Sequence, residues 1–273
     1  MYKVNTFITT DKEVAAYEKR ISICLTSNGF SFSVATIDGT LLTVGDVTMD
    51  LNVSMVELSA NVRAFFTDYG VSSLGCQQMV LIAPSERFVW IPAHLYTPGD
   101  ERRYLEAVSS QKMSQMAYGA MVHDADSYIV FEADGTVVSA FKIALPSIVV
   151  QCLPGALVRH GLKERALQHP VLLAHIADGR VCFVAYDKGG LLLTTIRHIS
   201  DSQQVLYNAL DVMKRLDIEK PNMELLLSGN VDRALFASLK GYFPKIDLYL
   251  GNPMRFLNPE FQRLHSYRYA AVI

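Results

Sequence analysis

Two segments half a chain apart repeat one another without a gap, and a duplication of this kind leaves few folds open. Ile21–Thr43 reads ISICLTSNGFSFSVATIDGTLLT and Val171–Leu193 reads VLLAHIADGRVCFVAYDKGGLLL. At a constant offset of 150 residues, Gly29 falls on Gly179, Val34 on Val184, Ala35 on Ala185, Gly39 on Gly189, Leu41 on Leu191 and Leu42 on Leu192. Within the first copy Ile21, Ile23 and Leu25 alternate with Ser22, Cys24 and Thr26, the two-residue period of a strand. Asn28-Gly29 and Asp38-Gly39 are dipeptides that type I′ turns favour, because both central residues need positive φ. Each copy therefore predicts three antiparallel strands. The pair predicts two similar halves with a cleft between them.

Composition narrows the classes further. Half of the 273 residues are hydrophobic and 19% are charged, enough apolar material for a real core. The net charge is −2, from 25 basic and 27 acidic residues, and the basic ones are scattered. That pattern lacks the electrostatic footprint of a nucleic-acid partner. Cys24, Cys76, Cys152 and Cys182 share no CxxC spacing, which fits buried thiols better than a disulfide framework or a zinc site. Met1–Arg20 has no apolar stretch, and the longest apolar run, Ile143–Val158, is broken by Pro146, Gln151 and Pro154. These features predict a reduced, cytoplasmic protein with no membrane insertion.

The order of elements recurs as well. A helix to about Tyr69, capped by Asn52 or Ser54, places Leu58, Val62, Phe65 and Phe66 on one face. A helix capped by Asp201 or Ser202 does the same with Val205, Leu206, Ala209 and Met213. Gln78–Ala83, Phe88–Leu95, Met223–Ser228 and Ile246–Leu250 read as strands, and Val231–Phe243 as a helix. Between the copies, Asp100–Gln115 reads as a helix, Tyr128–Ala133 and Thr136–Phe141 as a hairpin about Asp134-Gly135, and Pro146–Gly161 as a closing helix. A short helix is expected near Tyr267–Ala271. The expected division is a first lobe over 1–165, with an insertion over about 97–141, and a second lobe over 166–273.

Three antiparallel strands, a helix and a further strand open the ribonuclease-H-like unit. Two such units in tandem resemble the actin-like ATPase superfamily, and the chain is similar to an uncharacterised bacterial family reported with that fold. The resemblance implies an α/β protein of two tandem ribonuclease-H-like domains, with mixed five-stranded sheets flanked by helices and a small insertion in the first half. In that superfamily ATP lies between the halves. The turn after the first strand of each half wraps the phosphates with backbone N–H groups. The leading acids of an Asp-x-Gly signature serve magnesium and the attacking water.

Carried over position by position, the first phosphate turn is Ser27-Asn28-Gly29-Phe30, with Ser27 in place of the leading acid and bulky Phe30 expected to crowd the phosphate path. The second is Ala177-Asp178-Gly179-Arg180, with Ala177 in the acid's place and Asp178 one position later. The adenosine turn is Ser228-Gly229-Asn230. The resemblance thus implies Ser27, Asn28, Gly29, Asp178, Gly179, Arg180, Ser228, Gly229 and Asn230 as the nucleotide-binding set. With both leading acids replaced, no catalytic residue, metal ligand or required cofactor is expected, and ATP with magnesium stays a candidate ligand only.

Other chemistry-bearing residues have plainer readings. His123, Asp124 and Asp126 form an HxDxD-like cluster that reads more simply as a solvated loop than as a metal site. His175 alternates with apolar residues and reads as a buried, hydrogen-bonded histidine. No Gly-x-Ser-x-Gly elbow, GxxxxGK[ST] loop or HExxH helix occurs. Two functions lead, ahead of a nuclease. One is a non-catalytic actin-like scaffold or binding protein that works through a protein partner or a second copy of itself. The other is an ATPase or small-molecule kinase using Asp178, and Asp187 or Asp38, as displaced acids. A ribonuclease-H-like nuclease needs a carboxylate on the first strand, and Ile21–Thr26 and Val171–Ile176 carry none.

Overall fold

The computed structural model describes residues 1–10, 18–109, 115–158, 162–219, 222–250, 255–256, 260–261 and 265–273. The first meander forms β2 (Lys19–Thr26), β3 (Gly29–Thr36) and β4 (Thr40–Met49), preceded by β1 (Tyr2–Thr9). Helix α1 (Met55–Asp68), capped by Ser54, and β5 (Gln78–Ala83) follow. The second meander forms β10 (Val171–Ala177), β11 (Arg180–Asp187) and β12 (Gly190–His198). Then come α6 (Ser202–Arg215), capped by Asp201, β13 (Glu224–Gly229), α7 (Arg233–Lys240) and β14 (Lys245–Leu248).

Both halves build one topology. The second sheet runs β12-β11-β10-β13-β14, and the first contains the matching order β4-β3-β2-β5 followed by β9 (Val149–Cys152). In each, the meander is antiparallel and the last two strands join in parallel. The first sheet exceeds the expected five strands, because β1 and β15 (Arg255–Phe256) both pair with β4. Strand β1 escapes sequence reading because Lys3 and Asn5 break up its apolar residues on an edge exposed to solvent.

Packing follows strand parity. Ile21, Ile23, Phe30 and Phe32 turn to one face of the first sheet and meet Leu58, Val62, Phe65 and Phe66 of α1 and Phe141 of α3 (Gly135–Ala144). Leu172, Ala174, Ile176 and Phe183 turn to the outer face of the second sheet and meet Val205, Ala209 and Met213 of α6 and Leu235 and Leu239 of α7. The alternate residues Leu173, Cys182 and Val184 join a core shared with α4 (Leu153–Val158) and α5 (Leu162–Ala166). Tyr269, Val272 and Ile273 cross back onto the first sheet beside Leu41 and Ile82, and Ser33 Oγ donates to the Val272 carbonyl at 2.6 Å.

These faces correct the register of the repeat. Thr26 pairs with Gly29 across a turn of Ser27 and Asn28, whereas Ala177 pairs with Arg180 across Asp178 and Gly179. Ser27 therefore corresponds to Asp178, and Phe30 to Val181, an offset one residue longer than the ungapped alignment. Only after the next turn is the offset 150, with matching ladder irregularities at Leu42 and Leu192. The difference is absorbed by turn length. The first half uses Ile37-Asp38-Gly39, closed by Gly39 N–H donating to the Thr36 carbonyl at 3.0 Å, while the second uses only Lys188-Gly189. Of these four hairpin turns only Asp178-Gly179 has positive φ at both central residues, 49° and 68°, as type I′ requires.

The segment between the halves differs from expectation in two places. Strands β6 (Phe88–Pro92), β8 (Ser127–Ala133) and β7 (Met116–Val122) form a separate sheet beside α2 (Glu101–Val108). The expected α2 continuation at 110–114 lies outside the described residues. Asp134-Gly135 opens no hairpin. Asp134 instead caps α3, its carboxylate accepting from the Thr136 and Val137 N–H groups at 2.8 and 3.1 Å. The expected helix over Pro146–Gly161 divides into β9, parallel to β5, and α4, while 159–161 lie outside the described residues.

An ion cluster fastens α5 to the second sheet. Arg165 makes two bonds to Glu224, Nε at 2.8 Å and an amino nitrogen at 2.6 Å, and His169 adds a contact at 3.0 Å. Burial opposes ionisation of Glu224, but Arg165 and His169 outweigh it and hold its carboxyl below the usual range. A lowered folded pKa contributes stability above the unfolded value, and that contribution is lost as pH falls through the folded one. Glu224→Gln should cost about 1–3 kcal/mol in urea unfolding at neutral pH, towards the low end because Arg165 is partly exposed. The gap from the parent protein should close below about pH 4.

Candidate functional site

The ends of β2, β10 and β13 point into one cleft, where the three turns singled out by sequence come together. A cavity of 830 Å³ opens there, lined by Asn28, Asp178, Arg180, Gly229 and Asn230 from those turns. Asp46 of β4, Glu86 after β5 and Arg268 also line it. No periodicity or motif marks these three. They reach the cleft through sheet closure and the returning tail.

The first two of these turns are bonded directly to each other. Ser27 N–H donates to one carboxylate oxygen of Asp178 at 2.9 Å, and Ser27 Oγ donates to the other at 3.2 Å. Both oxygens of the acid are thus engaged by one residue of the opposite sheet. A second clasp lies beside the first. Arg180 Nε meets Glu86 at 2.5 Å, and His198 meets the same carboxylate at 3.0 Å. Burial pushes the Glu86 carboxyl up, but His198 and Arg180 together hold it below its ordinary value. Trp90 Nε1 donates to Thr194 Oγ1 at 2.7 Å, tying β6 to β12.

The corrected register changes the accounting of acids. Asp178, not Ala177, occupies the position of Ser27, so the second turn has an acid where the first has a serine. Phe30 borders the cavity but presents almost none of its surface to it. Its ring is 1% exposed and packs among Phe32, Phe65, Phe66 and Phe141. Burial of such a ring is worth about 1.5–3 kcal/mol, so it stays in the core. Asp187 accepts from Gly189 N–H at 2.7 Å, and Asp38 bonds Thr36 within its own turn. Both sit at the opposite ends of their strands from the cleft, which removes them as substitutes for the missing acid.

The sequence profile of the family described as "Protein of unknown function (DUF3822)" matches residues 9–246. The chain belongs to this family. No curated protein sequence matches it. Among solved structures it is similar to a Bacteroides thetaiotaomicron protein with actin-like ATPase fold and unknown function. The two are 19% identical over 87% of this chain and 93% of that one, with a TM-score of 0.70. PilM, from the PilM–PilN type IV pilus biogenesis complex, is 12% identical over 93% and 96%, with a TM-score of 0.60. The ethanolamine utilization protein EutJ of Carboxydothermus hydrogenoformans is 10% identical over 88% and 87%, with a TM-score of 0.50. At such identities the likeness establishes the fold, and this DUF3822 chain has the actin-like ATPase fold.

The floor of the DUF3822 cleft is inert in character. His175 is 4% exposed and its Nδ1 lies 2.9 Å from Ser228 Oγ, which is itself fully buried. The Cys24 thiol is pushed up to about 12, chiefly by burial and then by the charge of Asp178, and burial raises Cys182 as well. Neither is a thiolate nucleophile at neutral pH. Burial also raises Asp46 despite the Tyr269 hydroxyl and Arg268 beside it. Among the described residues no group of three or more His, Cys, Asp or Glu side chains is placed to hold a metal, His123, Asp124 and Asp126 included.

Two glycines shape the turns by close approach. A Cβ at Gly29 would lie 2.0 Å from the Val47 carbonyl, and one at Gly229 would lie 2.1 Å from the Ile176 carbonyl. Gly229 also has φ +81°, and the next N–H, of Asn230, donates to that same carbonyl at 2.7 Å. Gly229→Ala should therefore destabilise the protein by about 2–4 kcal/mol, read as a lower denaturation midpoint. An unchanged midpoint would show that the third turn is free to shift.

Proposed function

We propose that this chain is a non-catalytic actin-like scaffold or binding protein that acts through protein contacts, not nucleotide turnover. The observation that carries the reading is the pairing of Asp178 with Ser27. Phosphoryl transfer in an interlobe cleft needs carboxylate oxygens free to hold magnesium and to orient the attacking water. Here the first turn supplies a hydroxyl, and both carboxylate oxygens of Asp178 accept from that residue. In this arrangement the residues present do not fit a magnesium–nucleotide complex. PilM, which shares the fold, occurs in a complex with PilN, and that supports a protein partner as the object of binding. A second copy of the chain is the other candidate partner.

Purified protein supplied with millimolar Mg-ATP should release phosphate no faster than buffer. Release well above that level, lost in Asp178→Asn, would establish the ATPase or kinase reading instead. Light scattering across a concentration series should distinguish self-association from a monomer awaiting a different protein. For the described residues, no helix is long and apolar enough to cross a membrane.

A further inference from the structure

We infer that Asp178 is a built-in occupant of an anion seat at the first turn, an autoinhibitory contact that keeps phosphate-bearing ligands off the Ser27 donors. The inference deepens the reading above and concerns ligand access alone, so it stands or falls apart from turnover. Three observations meet in it. The Ser27 N–H and hydroxyl, a pair of donors that would suit a phosphate oxygen, point at the two oxygens of Asp178. The backbone that carries the acid is a type I′ turn with φ 49° at Asp178 and 68° at Gly179, and the two bonds from Ser27 orient its carboxylate. Arg180, the adjoining cation that would attract an anion, is already taken by Glu86 at 2.5 Å.

An intramolecular carboxylate competes at high effective concentration. A ligand that needs the seat meets it free only in the fraction of molecules whose clasp is open, and its apparent affinity falls by that fraction. The contact lies at the solvent-exposed rim of the cleft, where such bonds are modest, so displacement is within reach of a multiply charged anion.

Two substitutions separate occupancy from charge, and the turn tolerates both because glycine and asparagine accept positive φ. Asp178→Gly removes the acceptor, while Asp178→Asn removes the charge and leaves a carbonyl oxygen for Ser27. Calorimetric titration with inorganic tripolyphosphate at fixed ionic strength should show weak or no binding to the parent protein. Affinity should rise about tenfold or more in Asp178→Gly and by less in Asp178→Asn. Hydrogen exchange at the Ser27 amide should quicken in Asp178→Gly without ligand. Equal gains in the two variants would assign the effect to charge alone and overturn the seat. No gain in either, or Ser27 exchange unchanged in Asp178→Gly, would overturn it as well. None of these readings depends on ATP hydrolysis.

Discussion

Strands β2 and β10 are each buried on both faces, and every other feature of the molecule follows from which alternate residues they turn to which side. A strand of this kind has no solvent face to absorb an error, so a slip of one residue would drive Ser22 and Cys24 into the Phe30–Phe32–Phe65 cluster. The two halves solve this constraint with one topology but with turns of different length. The first turns match in length, and the extra residue at Ile37-Asp38-Gly39 shortens the offset between the halves by one from there on.

The shared register of the two first hairpins reaches directly into the cleft. Because Ser27 and Asp178 lead equivalent two-residue turns, they confront each other where the sheets converge, and their bond joins the halves through the protein's own groups. Glu86, Arg180 and His198 repeat the principle a short way off, one carboxylate shared between two side chains of the opposite sheet. An open space lies between the converging sheets. Here carboxylates and donors already on the chain satisfy one another across it.

The architecture was largely legible in the residues because strand alternation, helix spacing and capping act locally. Ser54 and Asp201 start their helices by accepting N–H bonds at the expected positions. Asp134-Gly135 shows where local signals mislead. The same dipeptide suits a hairpin or a helix cap, and the face formed by Val137, Val138 and Phe141 against α1 decided for the helix. Strand β1 and the return of Tyr269–Ile273 onto the first sheet left no local mark, since both depend on an edge and a groove made by distant segments.

Sequence alone determined that one unit recurs half a chain later, with tight turns and a following helix at matching places in each copy. Those facts are written in period, spacing and side-chain type. Only the tertiary structure decided that Asp178 is the true counterpart of Ser27, that Phe30 belongs to the core, and that Glu86 and Asp46 belong to the cleft. Register across a hairpin is a hydrogen-bonding property of two strands together, and no single strand carries the information to set it.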